Sequence, residues 1–156
     1  MMSAPSPSTT TMADKKTATV ACPFCATLNR VDLTRLEQHP KCGKCGKPIL
    51  LDRPIAISDA TFDKVTTDTT VPVVVDFYAD WCGPCKIMAP LLDDVAHRRA
   101  GELLVVKLDT DNNPLAGQRF GIKGIPTLIA FRKGHEVGRR VGAVPPAELE
   151  AFLKAI

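Results

Sequence analysis

VPVVVDFYADWCGPC, residues 71–85, is the stretch that decides the fold. Val71 to Ala79 is rich in β-branched residues and almost continuously apolar, the pattern of a strand buried on both faces. From Pro84 to about Arg99 the period changes, and Ile87, Met88, Leu91, Leu92 and Val95 recur at helical spacing. Pro90 lies inside that run and is expected to kink the helix. Cys82 and Cys85 sit where the strand gives way to the helix. Asp76 interrupts the strand, in a place where a carboxylate is expensive to bury without a partner.

Downstream, Leu103 to Leu108 reads as a second buried strand and Pro114 to Phe120 as a short helix. Thr127 to Phe131, the turn Lys133-Gly134 and Glu136 to Val141 read as an antiparallel hairpin. Ala147 to Ile156 is an amphipathic helix with Leu149, Phe152, Leu153 and Ile156 on one face. Residues 55–156 are therefore expected to form an α/β domain, a mixed central sheet with helices on both faces. Asp52, Arg53 and Pro54 read as a short linker to a small module at 18–51. Residues 1–17 are rich in Ser, Thr and Pro and are expected to be a disordered tail, with Met12 a possible alternative start.

The chain has 156 residues, a formal charge of +3 and 24% charged residues, a globular composition. No apolar run reaches the roughly 18 residues of a membrane-spanning helix. One Trp, one Tyr and six Phe leave little surface for stacking bases, so no nucleic-acid partner is expected. Residues 1–11 carry no cationic start and no apolar segment, so no secretory leader is read. Together with the cysteine pairs below, this points to a reducing cytoplasm.

All six cysteines occur in CxxC pairs. Cys22, Cys25, Cys42 and Cys45, with sixteen residues between the pairs, match zinc-ribbon spacing. Gly43 and Gly46 let the second turn fold close to its sulfurs. Four thiolates complete a tetrahedral Zn²⁺ and leave no open position, so one structural zinc is expected. The metal would supply folding energy that a module of this size lacks. Two local disulfides are the other reading of the same spacing. Lys41, Lys44 and Lys47 read as solvated charges, and His39 as a loop residue outside the site. Residues 1–54 hold eight Lys and Arg against four Asp and Glu. Four thiolates around Zn²⁺ add −2 there, so the formal charge falls to about +1.

The third pair is different because of its context. A thiolate at a helix N-terminus is stabilised by free N–H groups and by the positive end of the dipole. Cys82 is placed to be the low-pKa nucleophile, with Cys85 one turn inside, more buried and less acidic. Pro84 fits the first turn, where its missing N–H costs nothing. Burial should raise the pKa of Asp76 and suit it to accept a proton near neutrality.

With Asp76 in its strand, Trp81-Cys82-Gly83-Pro84-Cys85, Pro90, Lys107, Gly124-Ile125-Pro126, Gly134 and Val141-Gly142-Ala143 in order, the chain resembles the thioredoxin family over about a hundred residues. The four-cysteine module is similar to that of the thioredoxin 2 type. Ala26, where ribbons often have Gly, departs from the pattern. The resemblance implies a protein-disulfide reductase. Cys82 would attack a substrate disulfide, Cys85 would resolve the mixed disulfide, and Asp76 with Lys107 would relay a proton. Pro126 would be cis and Ile125 would dock substrate backbone. Trp81, Gly83, Pro84, Val141, Gly142 and Ala143 would complete the docking surface. Thioredoxin reductase would reset the protein with NADPH, so no bound organic cofactor is implied. A zinc-dependent redox sensor or redox-regulated protein-binding module is the alternative, and a nucleic-acid-binding ribbon a more distant one.

Overall fold

The computed structural model describes residues 16–156. The expected tail over 1–15 and the choice between Met1 and Met12 lie outside the described residues. Thr17 does not belong to a tail: it opens β1 (Thr17–Ala21), which pairs antiparallel with β2 (Leu28–Asp32) through Thr17 and Asp32. A short 3-10 helix follows at Leu33–Gln38. The rest comprises β3 (Ile55–Ala56), α1 (Phe62–Asp68), β4 (Val73–Tyr78), α2 (Gly83–Arg98), β5 (Leu104–Asp109), α3 (Pro114–Arg119), β6 (Thr127–Arg132), β7 (His135–Val141) and α4 (Pro146–Ala155).

The central sheet has the order β3-β5-β4-β6-β7. β4 is parallel to β5 and antiparallel to β6, so the sheet is mixed as expected. β4 lies in its middle, which explains why Val73, Val74, Val75 and Phe77 are all fully covered. Alternation along β4 divides two cores. Val73, Val75 and Phe77 join Phe62, Ala116 and Phe131 on one face. Val74 joins Met88, Leu92, Val95, Leu149, Phe152 and Leu153 on the other. Helices therefore cover both faces.

α2 is a single helix of 16 residues that runs through Pro90. The missing N–H there leaves the Lys86 carbonyl without its usual helical donor. Ile87, expected on the buried stripe, is instead 65% exposed, because Met88, Leu92 and Val95 already fill the face toward the sheet.

The four-cysteine module does not stand apart from the sheet. Its Ala18, Val20, Val31, Ile49 and Leu51 belong to the same apolar cluster as Phe62, Val65 and Phe77. Two threonines stitch β1 to the segment after α1. Thr69 Oγ1 accepts from the Thr19 amide at 3.1 Å and Thr70 Oγ1 accepts from the Thr17 amide at 2.8 Å. The Thr70 amide in turn donates to the Thr17 carbonyl at 2.9 Å. Burial against a neighbouring core supplies what thirty residues cannot build alone.

Candidate active site and metal centre

The end of β4 delivers Trp81 and Cys82 to the N-terminus of α2. Cys82 is the N-cap residue, and its Sγ accepts the Cys85 amide at 3.1 Å. A free helical N–H group, that of Cys85, is thus aimed at the sulfur expected to carry charge. Cys82 and Cys85 form a disulfide with Cα atoms 5.3 Å apart. Cys85 is not the more buried of the two: Cys82 is 2% exposed and Cys85 5%. The reason is the loop opposite, whose Ile125 carbonyl oxygen lies 3.7 Å from Cys82 Sγ.

That loop carries the cis peptide bond Ile125–Pro126. The Pro126 carbonyl accepts from the Gly142 amide at 2.7 Å, which brings Val141, Gly142 and Ala143 to the same rim. A Cβ at Gly124 would meet Val141 Cγ1 at 3.7 Å, so the two loops pack closely. Trp81 and Val141 are 70% and 63% exposed. Gly83, Pro84 and Ala143 are also exposed, and Ile125 and Gly142 are half-buried. The structure therefore gathers every residue expected to dock substrate around one disulfide. Asp111, which sequence reasoning did not single out, accepts the Trp81 indole N–H at 2.9 Å. Thirty residues separate the pair, and no local pattern announces it.

Asp76 lies beneath this rim, on the α2 side of the sheet. Its Oδ1 is buried and has no hydrogen-bond partner among the described residues. Burial pushes its carboxyl up to about 7, opposed only in part by the Lys107 ammonium. Lys107 is the register partner of Asp76 on β5, with Nζ 5.9 Å from the Tyr78 ring centroid. Asp76, Cys85 and Lys107 line one small cavity of about 170 Å³, together with Tyr78, Asp80 and Lys86.

The other four cysteines converge within the module ahead of the central sheet. Their sulfurs all lie within 4.8 Å of one another. Cys22 to Cys45 and Cys25 to Cys42 are each 3.6 Å, near the edge of about 3.8 Å for a tetrahedron of sulfurs 2.3 Å from an ion. These four are free thiols, so the reading of two local disulfides is not the state seen. The Phe24 amide donates to Cys22 Sγ at 3.4 Å and the Lys44 amide to Cys42 Sγ at 3.3 Å. Asn29, also missed in the sequence, donates through Nδ2 to Cys42 Sγ at 3.4 Å and accepts the Gly43 amide at 2.9 Å. Donation from the Cys45 amide, Asn29 and the Lys44 amide brings Cys42 down to about 6. The Lys47 amide acts the same way on Cys45, but burial and the three neighbouring thiols outweigh it and push Cys45 up to about 11. Four sulfurs this close cannot all ionise without a cation between them. The donor set fits a divalent metal that prefers thiolates. His39 is not among the clustered groups. Lys47 is not merely solvated, since its Nζ sits 4.7 Å from the Phe24 ring centroid.

Residues 53–155 match the thioredoxin family, and 21–47 match the family described as Thioredoxin 2, N-terminal. The chain belongs to the thioredoxin family. Its two matched regions reproduce the thioredoxin 2 arrangement, a four-cysteine ribbon ahead of the redox domain. Thioredoxin C-3 of Corynebacterium nephridii is 37% identical over 134 residues, covering 86% of this chain and 92% of that protein. Thioredoxin 1 of a Nostoc species is 45% identical over 98 residues, 63% of this chain and 92% of its own length. A thioredoxin of Haemophilus influenzae is 41% identical over 97 residues, 62% of this chain and 91% of its own. This thioredoxin is a thiol-disulfide oxidoreductase acting on disulfide-containing substrates. Among the described residues no helix is long and apolar enough to cross a membrane.

Proposed function

We propose that this thioredoxin works as a reductase of protein disulfides in the bacterial cytoplasm, with one structural Zn²⁺ held by Cys22, Cys25, Cys42 and Cys45. The observation that carries the reading is the Cys85 amide donating to Cys82 Sγ at the start of α2, with Asp76 and Cys85 lining one cavity. In the reduced protein the Cys82 thiolate attacks one sulfur of a substrate disulfide. The substrate S–S bond breaks, a mixed disulfide forms, and the departing substrate thiolate takes up a proton from solvent. Cys85 then passes its S–H proton to Asp76 and attacks Cys82 Sγ. The second substrate thiolate leaves, and the substrate has gained the two electrons that the Cys82–Cys85 pair has lost. Lys107 limits how far the Asp76 pKa rises.

Trp81, Gly83, Pro84, Ile125, Val141, Gly142 and Ala143 form the rim on which substrate docks, with the cis Pro126 behind it. Thioredoxin reductase returns two electrons from NADPH, and the Gly-Pro dipeptide between the cysteines supports the reducing direction by resemblance. Zinc would offset half the charge of the ribbon thiolates and tie the two turns together, and it would take no part in exchange. Insulin reduction coupled to reductase and NADPH tests the reading: Cys82→Ser should abolish turnover, and full activity in that variant would sink it.

A second reading treats the ribbon as a redox sensor, because Cys45 is exposed among the clustered sulfurs. Peroxide would then release the metal at doses below those that oxidise Cys82. Metal retained through complete oxidation of Cys82 excludes that reading.

A further inference from the structure

Asp76 also lines a second, larger cavity of about 460 Å³, on the side away from the disulfide rim. Ala89, Leu92, Asp93 and His97 of α2 form one wall and Lys107 another. The remaining wall is Asp52, Arg53 and Pro54, the connector leaving the four-cysteine module. Asp52 faces both its chain neighbour and α2. Asp52 Oδ1 accepts from Arg53 Nε at 3.0 Å, while Asp52 Oδ2 lies 3.7 Å from His97 Nδ1 on α2. Pro54 stiffens the exit, and Ile55 immediately joins β3 beside β5. Asp76 therefore borders a pocket whose outer side is supplied by the module that carries the ribbon cysteines.

We propose that the connector Asp52–Arg53–Pro54, beside His97, is a positioning segment for the proton step: it walls one side of the Asp76 pocket and limits the water that reaches the carboxylate. The inference rests on Asp76 being the proton acceptor. The ribbon is then part of the exchange machinery without touching substrate. Its docking against α1 fixes where Leu51 ends, and so where the wall stands. The charged and titratable groups facing Asp76 are Lys107 from β5, Cys85, Lys86, Asp93 and His97 from α2, Tyr78 and Asp80 at the end of β4, and Asp52 and Arg53 from the connector. The β6 neighbour in register, Leu128, carries no charge.

The sign of the effect separates water entry from simple charge removal. Deleting the Arg53 cation, as a charge effect alone, can only raise the midpoint at which Asp76 ionises. Opening the wall does the reverse, since desolvation is what holds that midpoint up. The test uses the full chain with its metal, and follows the carboxyl carbon of Asp76 by NMR against pH. R53G/P54G should lower the midpoint by about one unit, a tenfold change in the ionisation constant. His97→Ala, on an exposed helix face, should lower it by less, and Arg53→Lys with Pro54 retained should leave it in place. The pH dependence of exchange should follow the NMR midpoint, and in an Asp76→Asn background the connector change should leave the profile where it was. A midpoint unmoved or raised in both R53G/P54G and His97→Ala overturns the wall. An Asp76→Asn protein with a wild-type pH profile overturns the acceptor role instead.

Discussion

Ala26 and Gly46 close the two cysteine turns in the same left-handed backbone conformation, φ 64° and 77°. Each donates its amide to the carbonyl of the first cysteine of its turn, Ala26 to Cys22 at 2.9 Å and Gly46 to Cys42 at 3.0 Å. Only one of them is glycine. A Cβ in this region crowds the following carbonyl and costs about 1–2 kcal/mol. Ala26→Gly should therefore stabilise the metal-loaded protein by about 1 kcal/mol. Gly46→Ala, which would meet no atom within 4 Å, should destabilise it by a similar amount through φ alone. Thermal unfolding of the two variants checks the pair, and changes of the same sign would contradict the equivalence.

Asp76 makes stability depend on pH in an unusual direction. Its folded carboxyl sits near 7, above the ordinary value of 3.8. The folded protein therefore holds a proton that the unfolded chain has lost between those values. Its burden on stability is small near pH 4, grows as pH rises and is complete above about pH 7. Asp76→Asn should stabilise the protein most at pH 8 and least near pH 4, by on the order of 4 kcal/mol at most. The same variant should slow exchange and flatten its pH profile near neutrality. Denaturant melts at both pH values give the first result, and insulin reduction across pH gives the second.

Trp81 is exposed but not loose, because Asp111 holds its indole N–H. Removing one such bond is worth about 1 kcal/mol, or roughly fivefold in affinity. Asp111→Ala should raise KM for a protein disulfide by roughly that factor and leave kcat nearly unchanged. The anisotropy of Trp81, the one tryptophan in the chain, should fall in parallel. A change confined to kcat would contradict a docking role.

The ribbon and the redox domain share one apolar cluster, so they should unfold together. Val20→Ala, at a position with no exposure, should lower stability by about 2 kcal/mol in a single transition followed equally by Trp81 fluorescence and by metal release. Cys42→Ser should lose the metal and lower the melting temperature of the redox domain as well. Two separate transitions in the wild type would show that the shared cluster does not couple the modules.

Much of this protein is legible along the chain. The periods of Val71–Ala79 and Pro84–Arg99 are local and strong, and the four clustered cysteines announce themselves by CxxC spacing alone. Elements that depend on partners were harder to read. β3 is only two residues long and exists because β5 lies beside it. α1 has a short apolar face, Phe62 and Val65, whose use becomes plain only when the ribbon packs near it. Ile87 kept the helical period yet points to solvent, because periodicity marks a stripe but not its edge.

The sequence by itself determined the chemistry: which sulfurs could bind metal, which could turn over, and that Asp76 was out of place in an apolar strand. Those facts follow from residue type and spacing, which are local. Tertiary structure decided what surrounds each group. It covered Cys82 with the Ile125 loop, joined Trp81 to Asp111 across thirty residues, and merged the ribbon with the sheet. It also set the connector 52–54 against Asp76. Burial, and with it the pKa of a carboxylate, depends on neighbours distant in the chain, and no window of sequence contains them.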